Sequence, residues 1–319
     1  MGLTERPVSP TRARHEDILA LLALSLIWGS SFALIKIAVE DIPPLSLAAG
    51  RMVLAAVLLL AVQAAIGPPL TALLLPPLRS RWRQLLVLGM LGNGIPFVLI
   101  GYGETRIGSG LAAILIGAMP IFTLLLAHLF AVERGLSRPA WAGVGLGFIG
   151  LVVLIGPAAL SDLWAGDGFE LAAQLAVVLG GASYAATAVY GRVLSRDLPV
   201  AVVASGSMTA SALVMAPLAL VIDQPWQLSP ATGSWLAMAG LGIGATAIAS
   251  LIYFRLLRSA GPTFASLVNY LIPGFGFLLG VVWLDEPVTW RELAALALIL
   301  AAIGLVRAKP TVAPPPPNT

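Results

Sequence analysis

The chain has 319 residues, of which 59% are hydrophobic and only 10% charged, with a formal net charge of +3 and a mean hydropathy of +0.96. Ordinary globular proteins carry roughly 25% charged residues, so the two soluble domains that length alone suggests are excluded. Zero cysteines rule out disulfides, thiolate metal sites and thiol catalysis, and the basic residues lie in short loops, which excludes a nucleic-acid surface.

Residues 1–17 read as an N-terminal arm. Ten apolar runs follow, at 18–39, 44–66, 83–103, 108–131, 139–157, 171–191, 199–222, 234–254, 262–284 and 289–306. A helix needs about 20 residues to cross the hydrocarbon core, and each run is close to that length. The first run continues through Lys36 with no small-residue cleavage pattern, so it reads as a retained span and not a signal peptide. Residues 158–170 form a linker, and Thr289 with Glu292 spells a capping box at the start of the tenth run. The tail 308–319 contains four consecutive prolines and predicts disorder. Gly145-x-Gly147-x-x-Gly150 matches a dinucleotide fingerprint, but no strand precedes it. Gly143 and Gly147 instead make a small-residue face for close helix packing.

The chain contains itself twice. Trp82, Gly89, Gly108, Pro120 and Glu133 reappear 153 positions later as Trp235, Gly242, Gly261, Pro273 and Glu286. An odd number of spans per copy makes the second copy enter the membrane from the opposite side. The predicted fold class is an all-α polytopic membrane protein of ten transmembrane helices, built as two inverted five-helix repeats over 18–157 and 171–307. Repeats of this kind mark secondary transporters, with the site at the repeat interface near the midplane.

Lysine and arginine set the orientation. With the N-terminus cytoplasmic, fourteen basic residues fall on inner segments, among them Arg134, Arg138, Arg192, Arg196, Arg255 and Arg258, and two, Arg106 and Arg291, on outer ends. Both termini are therefore expected inside. Trp82, Trp141, Trp235, Trp283 and Trp290 fall at span ends, as an aromatic belt requires, whereas Trp28 sits mid-span.

Polar groups inside spans are tolerated where they face protein or a water-filled cavity. Matching Gly29 to Gly181 places Ser31 over Ser183 and Phe32 over Tyr184, and Asn93 corresponds to Thr246. Trp28, Ser31, Asn93, Ser183, Tyr184, Thr246 and Tyr270 are the predicted lining of a central substrate cavity. The alternative for each hydroxyl is a bond to its own helix, and for Asn93 a helix–helix contact. Pro120 and Pro273 mark expected helix breaks at the centres of the fourth and ninth spans. Arg51, Lys36 and Glu104 are expected at the outer end as gating residues. Lys36 can snorkel to the interface, and Arg51 would pair with Glu40, Asp41 or Glu104. His128 reads as a core or interfacial residue, and Glu133 and Glu286 as carboxylates that orient a turn. No acidic residue falls at the centre of a span, so proton or ion coupling is not readable from the sequence.

The Trp-Gly-Ser-Ser-Phe run at 28–32, Arg51 in the second span, and the pairs Pro120/Glu133 and Pro273/Glu286 resemble the EamA-type family of the drug/metabolite transporter superfamily, which includes YddG-like bacterial amino-acid and metabolite exporters. The resemblance covers about residues 18–307. It implies a ten-helix inverted repeat in the inner membrane that moves small metabolites by alternating access, often exporting amino acids. It implies a small-molecule substrate, a lipid bilayer around a monomer or homodimer, and no cofactor, metal or nucleic acid. Nucleosides and organic cations are the alternative cargo. A non-transporting receptor or scaffold is the alternative role. A membrane enzyme would need a nucleophile, base or metal constellation, which His15 and His128 alone do not supply.

Overall fold

The computed structural model describes residues 15–66, 81–130, 137–165, 168–194 and 200–307, and these are helical apart from short connections. The helices are α1 (His15–Ala38), α2 (Pro44–Ile66), α3 (Trp82–Glu104), α4 (Ser109–Leu129), α5 (Arg138–Ala165), α6 (Phe169–Leu194), α7 (Val200–Ile222) and α8 (Thr232–Ser259). α9 follows in two pieces, Gly261–Ala265 and Val268–Trp283, and α10 is Trp290–Arg307. No strand occurs among the described residues. In hydrocarbon a helix satisfies its backbone polar groups within one segment, which is why long apolar runs take this form.

α1 to α8 are long and apolar enough to cross a membrane; the apolar part of α9 is shorter, and α10 carries Arg291, Glu292 and Arg307. Between 39% and 56% of each spanning window is buried within the protein, so about half of each helix faces outward. The outward residues include Leu19, Val57, Leu213, Val221 and Val282, large and apolar, which water would not tolerate as a continuous belt.

Inside, α1 packs on α9, α2 on α7 and α8, α3 on α6, α4 on α6 and α9, and α5 on α10. Leu24, Met52, Ile114, Leu115, Ile121, Leu241, Ile299 and Ile303 are fully buried in the interior. Two large apolar clusters share one side chain, Tyr184, at their margin.

Several boundaries differ from the sequence expectation. His15–Asp17, assigned to the arm, opens α1, and Asp17 is buried where the Ser259 hydroxyl donates to it at 2.6 Å. α5 continues to Ala165 past a bend at Gly156 (φ 68°), so part of the expected 158–170 linker is helical. A glycine suits that bend because its φ of 68° is one that residues with a Cβ rarely adopt. Residues 1–14 and the proline-rich tail 308–319 lie outside the described residues, as do Glu133, Arg134 and Arg196.

The prolines also divide. α4 breaks at Gly117 and Ala118, and Pro120 sits in the first turn of the helical piece that follows, where its missing N–H costs nothing. Pro273 lies inside a continuous helix, with the α9 break upstream at 266–267. The two features meet in space: a Cβ on Gly117 would fall 2.9 Å from Pro273 Cγ.

The capping box at α10 forms as read, with Thr289 N and Oγ1 both donating to Glu292 at 2.8 Å. The small-residue face of α5 also forms. A Cβ on Gly143 would stand 2.7 Å from the Ala302 carbonyl of α10, and one on Gly147 would stand 1.9 Å from Ile121 Cδ1, whereas Gly145 faces open space. Gly143→Ala should therefore lower the thermal midpoint of the purified protein, by overpacking worth about 1–3 kcal/mol. Gly145→Ala should be neutral or raise it through helix propensity. Equal midpoints for the two variants in a thermal-shift assay would refute close packing on this face.

Candidate functional site

Two stretches of the bundle depart from the ordinary helical ladder. Met90–Gly94 in α3 and Gly240–Ile248 in α8 are π-helical. Both are rich in glycine, which lowers the cost of widening a turn. Wide turns loosen backbone pairing and recur at functional sites.

Each wide turn has a carbonyl taken by a side chain from elsewhere. Trp28 Nε1 of α1 donates to the Ala245 carbonyl in α8 at 3.0 Å. Ser183 Oγ of α6 donates to the Leu91 carbonyl in α3 at 2.7 Å. Gly29, next to Trp28, lets α1 lie close on α9: a Cβ there would stand 2.6 Å from Phe275 Cβ. The Trp28 ring also leans on Tyr253, with centroids 5.5 Å apart.

Arg51 lies beside the α8 turn. Its Nε donates to Thr246 Oγ1 at 2.7 Å, and that hydroxyl donates in turn to the Leu241 carbonyl at 2.8 Å. The guanidinium lies 3.7 Å above the Phe97 ring of α3. Arg51 is only 6% exposed, so its charge is held by a hydroxyl and an aromatic face in place of the carboxylate expected from the sequence. Asp41 is committed elsewhere, accepting from Ser234 Oγ at 2.6 Å and Ala231 N at 3.0 Å, and these bonds hold its carboxyl below the ordinary range.

Lys36 does not snorkel outward. Its Nζ donates to the Glu104 and Ile107 carbonyls at 2.7 and 2.9 Å, closing the C-terminus of α3 with a cation where the helix dipole favours one. Glu286 likewise bridges elements. Its two oxygens accept from Ser109 N at 2.6 Å and Gly110 N at 2.8 Å, capping the start of α4. Asp223 accepts from Ser46 N and Oγ at 2.8 Å, at the start of α2.

The structure therefore brings Trp28, Ser183, Thr246 and Arg51 onto the wide turns. Tyr184 is one residue on from Ser183 and half-buried. Asn93 lies within the α3 turn, also half-buried, and its amide bonds to no described residue. Two predicted residues have their hydroxyls engaged: Ser31 Oγ donates to the Trp28 carbonyl of its own helix at 2.6 Å, and Tyr270 donates to the Ile303 carbonyl of α10 at 3.1 Å. His128 is exposed and stacks edgewise on Trp141. Sequence reasoning missed Phe97, which carries no polar signal, and the capping roles of Asp41, Asp223 and Glu286, whose partners lie 176 or more residues away.

The model of the EamA-like transporter family matches residues 16–156 and, separately, 171–308. The chain belongs to this family. Among its relatives, it is 31% identical over 308 residues to the "uncharacterized inner membrane transporter YedA" of Escherichia coli, across 92% of this chain and 94% of the relative. It is 29% identical to an "uncharacterized transporter" of Archaeoglobus fulgidus (90% and 97% covered) and 28% identical to "protein PagO" of Salmonella typhimurium (79% and 80%). One solved crystal structure, 22% identical, shares the fold with a TM-score of 0.65 over 92% of this chain and 98% of its own. As an EamA-like protein with eight helices of spanning length among its described residues, the chain is a multi-pass membrane transporter.

The Arg51–Thr246 contact gives a stability prediction. Thr246→Val keeps the shape but removes the acceptor of a buried charged donor, a loss of about 1.5–3 kcal/mol. Its thermal midpoint should fall well below that of Thr246→Ser, which keeps the hydroxyl. Matching midpoints would mean that the hydroxyl does not hold Arg51.

Proposed function

We propose that this EamA-like protein is a secondary transporter that moves small metabolites across the bacterial inner membrane by alternating access, and that it exports amino acids or related amphipathic metabolites. The observation that carries this reading is the crossed pair of bonds at the wide turns. Trp28 reaches from the first helix of one half to the third helix of the other, and Ser183 makes the reciprocal reach. A site built this way straddles both halves, so motion of one half against the other would expose it to either side in turn.

Other features support two inverted five-helix repeats over 18–157 and 171–307. The family model matches twice. Helix pairing is matched between halves, α1 on α9 with α6 on α4, and α2 on α8 with α7 on α3. Gly89 and Gly242, one repeat apart, each admit a neighbouring backbone: a Cβ would lie 2.1 Å from the Ser207 carbonyl or 3.1 Å from that of Arg51. Trp28, Asn93, Ser183, Tyr184 and Thr246 remain the proposed lining, apolar walls with a few placed donors, suited to an amphipathic solute. Ser31 and Tyr270 contribute shape, since their hydroxyls are engaged. With both termini cytoplasmic, the end bearing Asp41, Asp223, Glu286 and Lys36 is the outer one, and its bonds favour an outward-closed form.

Two measurements test this. A cysteine placed at Asp162 in this cysteine-free chain should react with an impermeant reagent added from outside; reaction from the cytoplasmic side alone would overturn the orientation. In proteoliposomes screened with amino acids, nucleosides and organic cations, Trp28→Ala and Tyr184→Ala should each lower flux of the accepted class about tenfold, the worth of one placed contact of about 1.4 kcal/mol. Val57→Ala, on the exposed face of α2, should leave it unchanged. Folded protein with no flux of any class would point to a receptor or scaffold.

A further inference from the structure

Glu104 ends α3 with a side chain that is 0% exposed, and neither carboxyl oxygen has a hydrogen-bond partner among the described residues. The cations near it spend donors elsewhere, and neither makes a hydrogen bond to its carboxyl oxygens. Lys36 of α1 spends its ammonium on the Glu104 and Ile107 carbonyls, and Arg51 of α2 spends its Nε on Thr246 with its face on Phe97. Beyond α4, Glu286 adds a second carboxylate, itself held by Ser109 N and Gly110 N. On α6, Glu170 is exposed and tied to Gln174, and Tyr184 adds a half-buried phenol. Arg106 is exposed on the Phe169 ring. A bare carboxylate with no donor, sealed from water, costs many kcal/mol, and such groups neutralise by taking a proton.

Resting on the outward-closed reading above, we propose that Glu104 is a proton-binding site linked to closure of the outer end: it is a neutral acid when α1, α3 and α6 seal around it and a carboxylate when opening lets water in. The proton comes from outside water on closing and returns there, or to the transport path, on opening. One proton per closure sets the linkage: the closed-to-open ratio changes by at most tenfold per pH unit, and lower pH favours closure.

The test needs no substrate. Spin labels on the outer ends of α1 and α9, in nanodiscs titrated from about pH 5 to 8, should show the shorter distance gaining population as pH falls. Glu104→Gln, a fixed neutral mimic, should hold the short distance at every pH, and should remove a carboxylic-acid C=O band from the pH-difference infrared spectrum of the wild type. A wild-type distance distribution that does not move with pH overturns the proposal, as does a pH response that survives in Glu104→Gln. If Glu104→Gln fails to fold, the wild-type distance titration and infrared band decide alone. Absence of flux in the proteoliposome screen would sink the transport reading while leaving this titration intact, so the two failures can be told apart.

Discussion

A backbone carbonyl in the bilayer interior must find a donor within the protein, because no water is there to supply one. That constraint governs the centre of this molecule. The wide turns at Met90–Gly94 and Gly240–Ile248 loosen two helical ladders at depth, and the carbonyls of Leu91 and Ala245 are met by Ser183 and Trp28 from across the bundle. The donors come from helices that do not neighbour the turns in sequence, so the bonds tie the two halves together where the backbone is most irregular. The same turns admit Thr246, whose hydroxyl serves both the Leu241 carbonyl and Arg51. Site and irregular backbone thus have one physical origin.

At the end of the bundle holding Asp41, Asp223 and Glu286, a second rule operates. Helix N-termini present unpaired N–H groups and a partial positive charge, and carboxylates from other elements occupy three of them: Asp41 at α8, Asp223 at α2 and Glu286 at α4. Each cap joins two elements that are far apart in the chain. A cap within one helix would stabilise only that helix, whereas these fix the positions of helix ends relative to one another.

The spans were legible in the sequence because an apolar run of the right length has almost no alternative to a helix in lipid. The repeat was legible because glycine, proline and tryptophan recur at one spacing. Trp28, Ser183 and Thr246 were legible as polar edges on apolar helices. What the sequence hid was pairing. Arg51 advertises a charge, which points to Glu40, Asp41 and Glu104 as partners, yet its contacts are a threonine 195 positions away and a phenylalanine. The prolines misled in a related way. Pro120 follows a break already made at Gly117 and Ala118, and Pro273 lies within a continuous helix, its ring beside that break. Ser31 and Tyr270 have the right residue type and depth, but a hydroxyl's direction is a rotamer choice settled only by tertiary packing.

The choice of neutral partners for the intramembrane cations bears on how such a protein moves. Separating a buried ion pair costs about 3–5 kcal/mol, since it strands an uncompensated charge. Lys36 is held by two carbonyls and Arg51 by a hydroxyl and a ring, and hydrogen bonds to charged groups are worth about 1.5–3 kcal/mol each. In the proposed alternating access, contacts of that size would be exchanged one by one for water as the bundle opens. A two-state equilibrium swings from one extreme to the other with about 5.5 kcal/mol of differential binding, which a small-molecule ligand can supply. In the proposed transport cycle, partners of this kind let Arg51 and Lys36 exchange protein contacts for water without stranding a carboxylate of opposite charge.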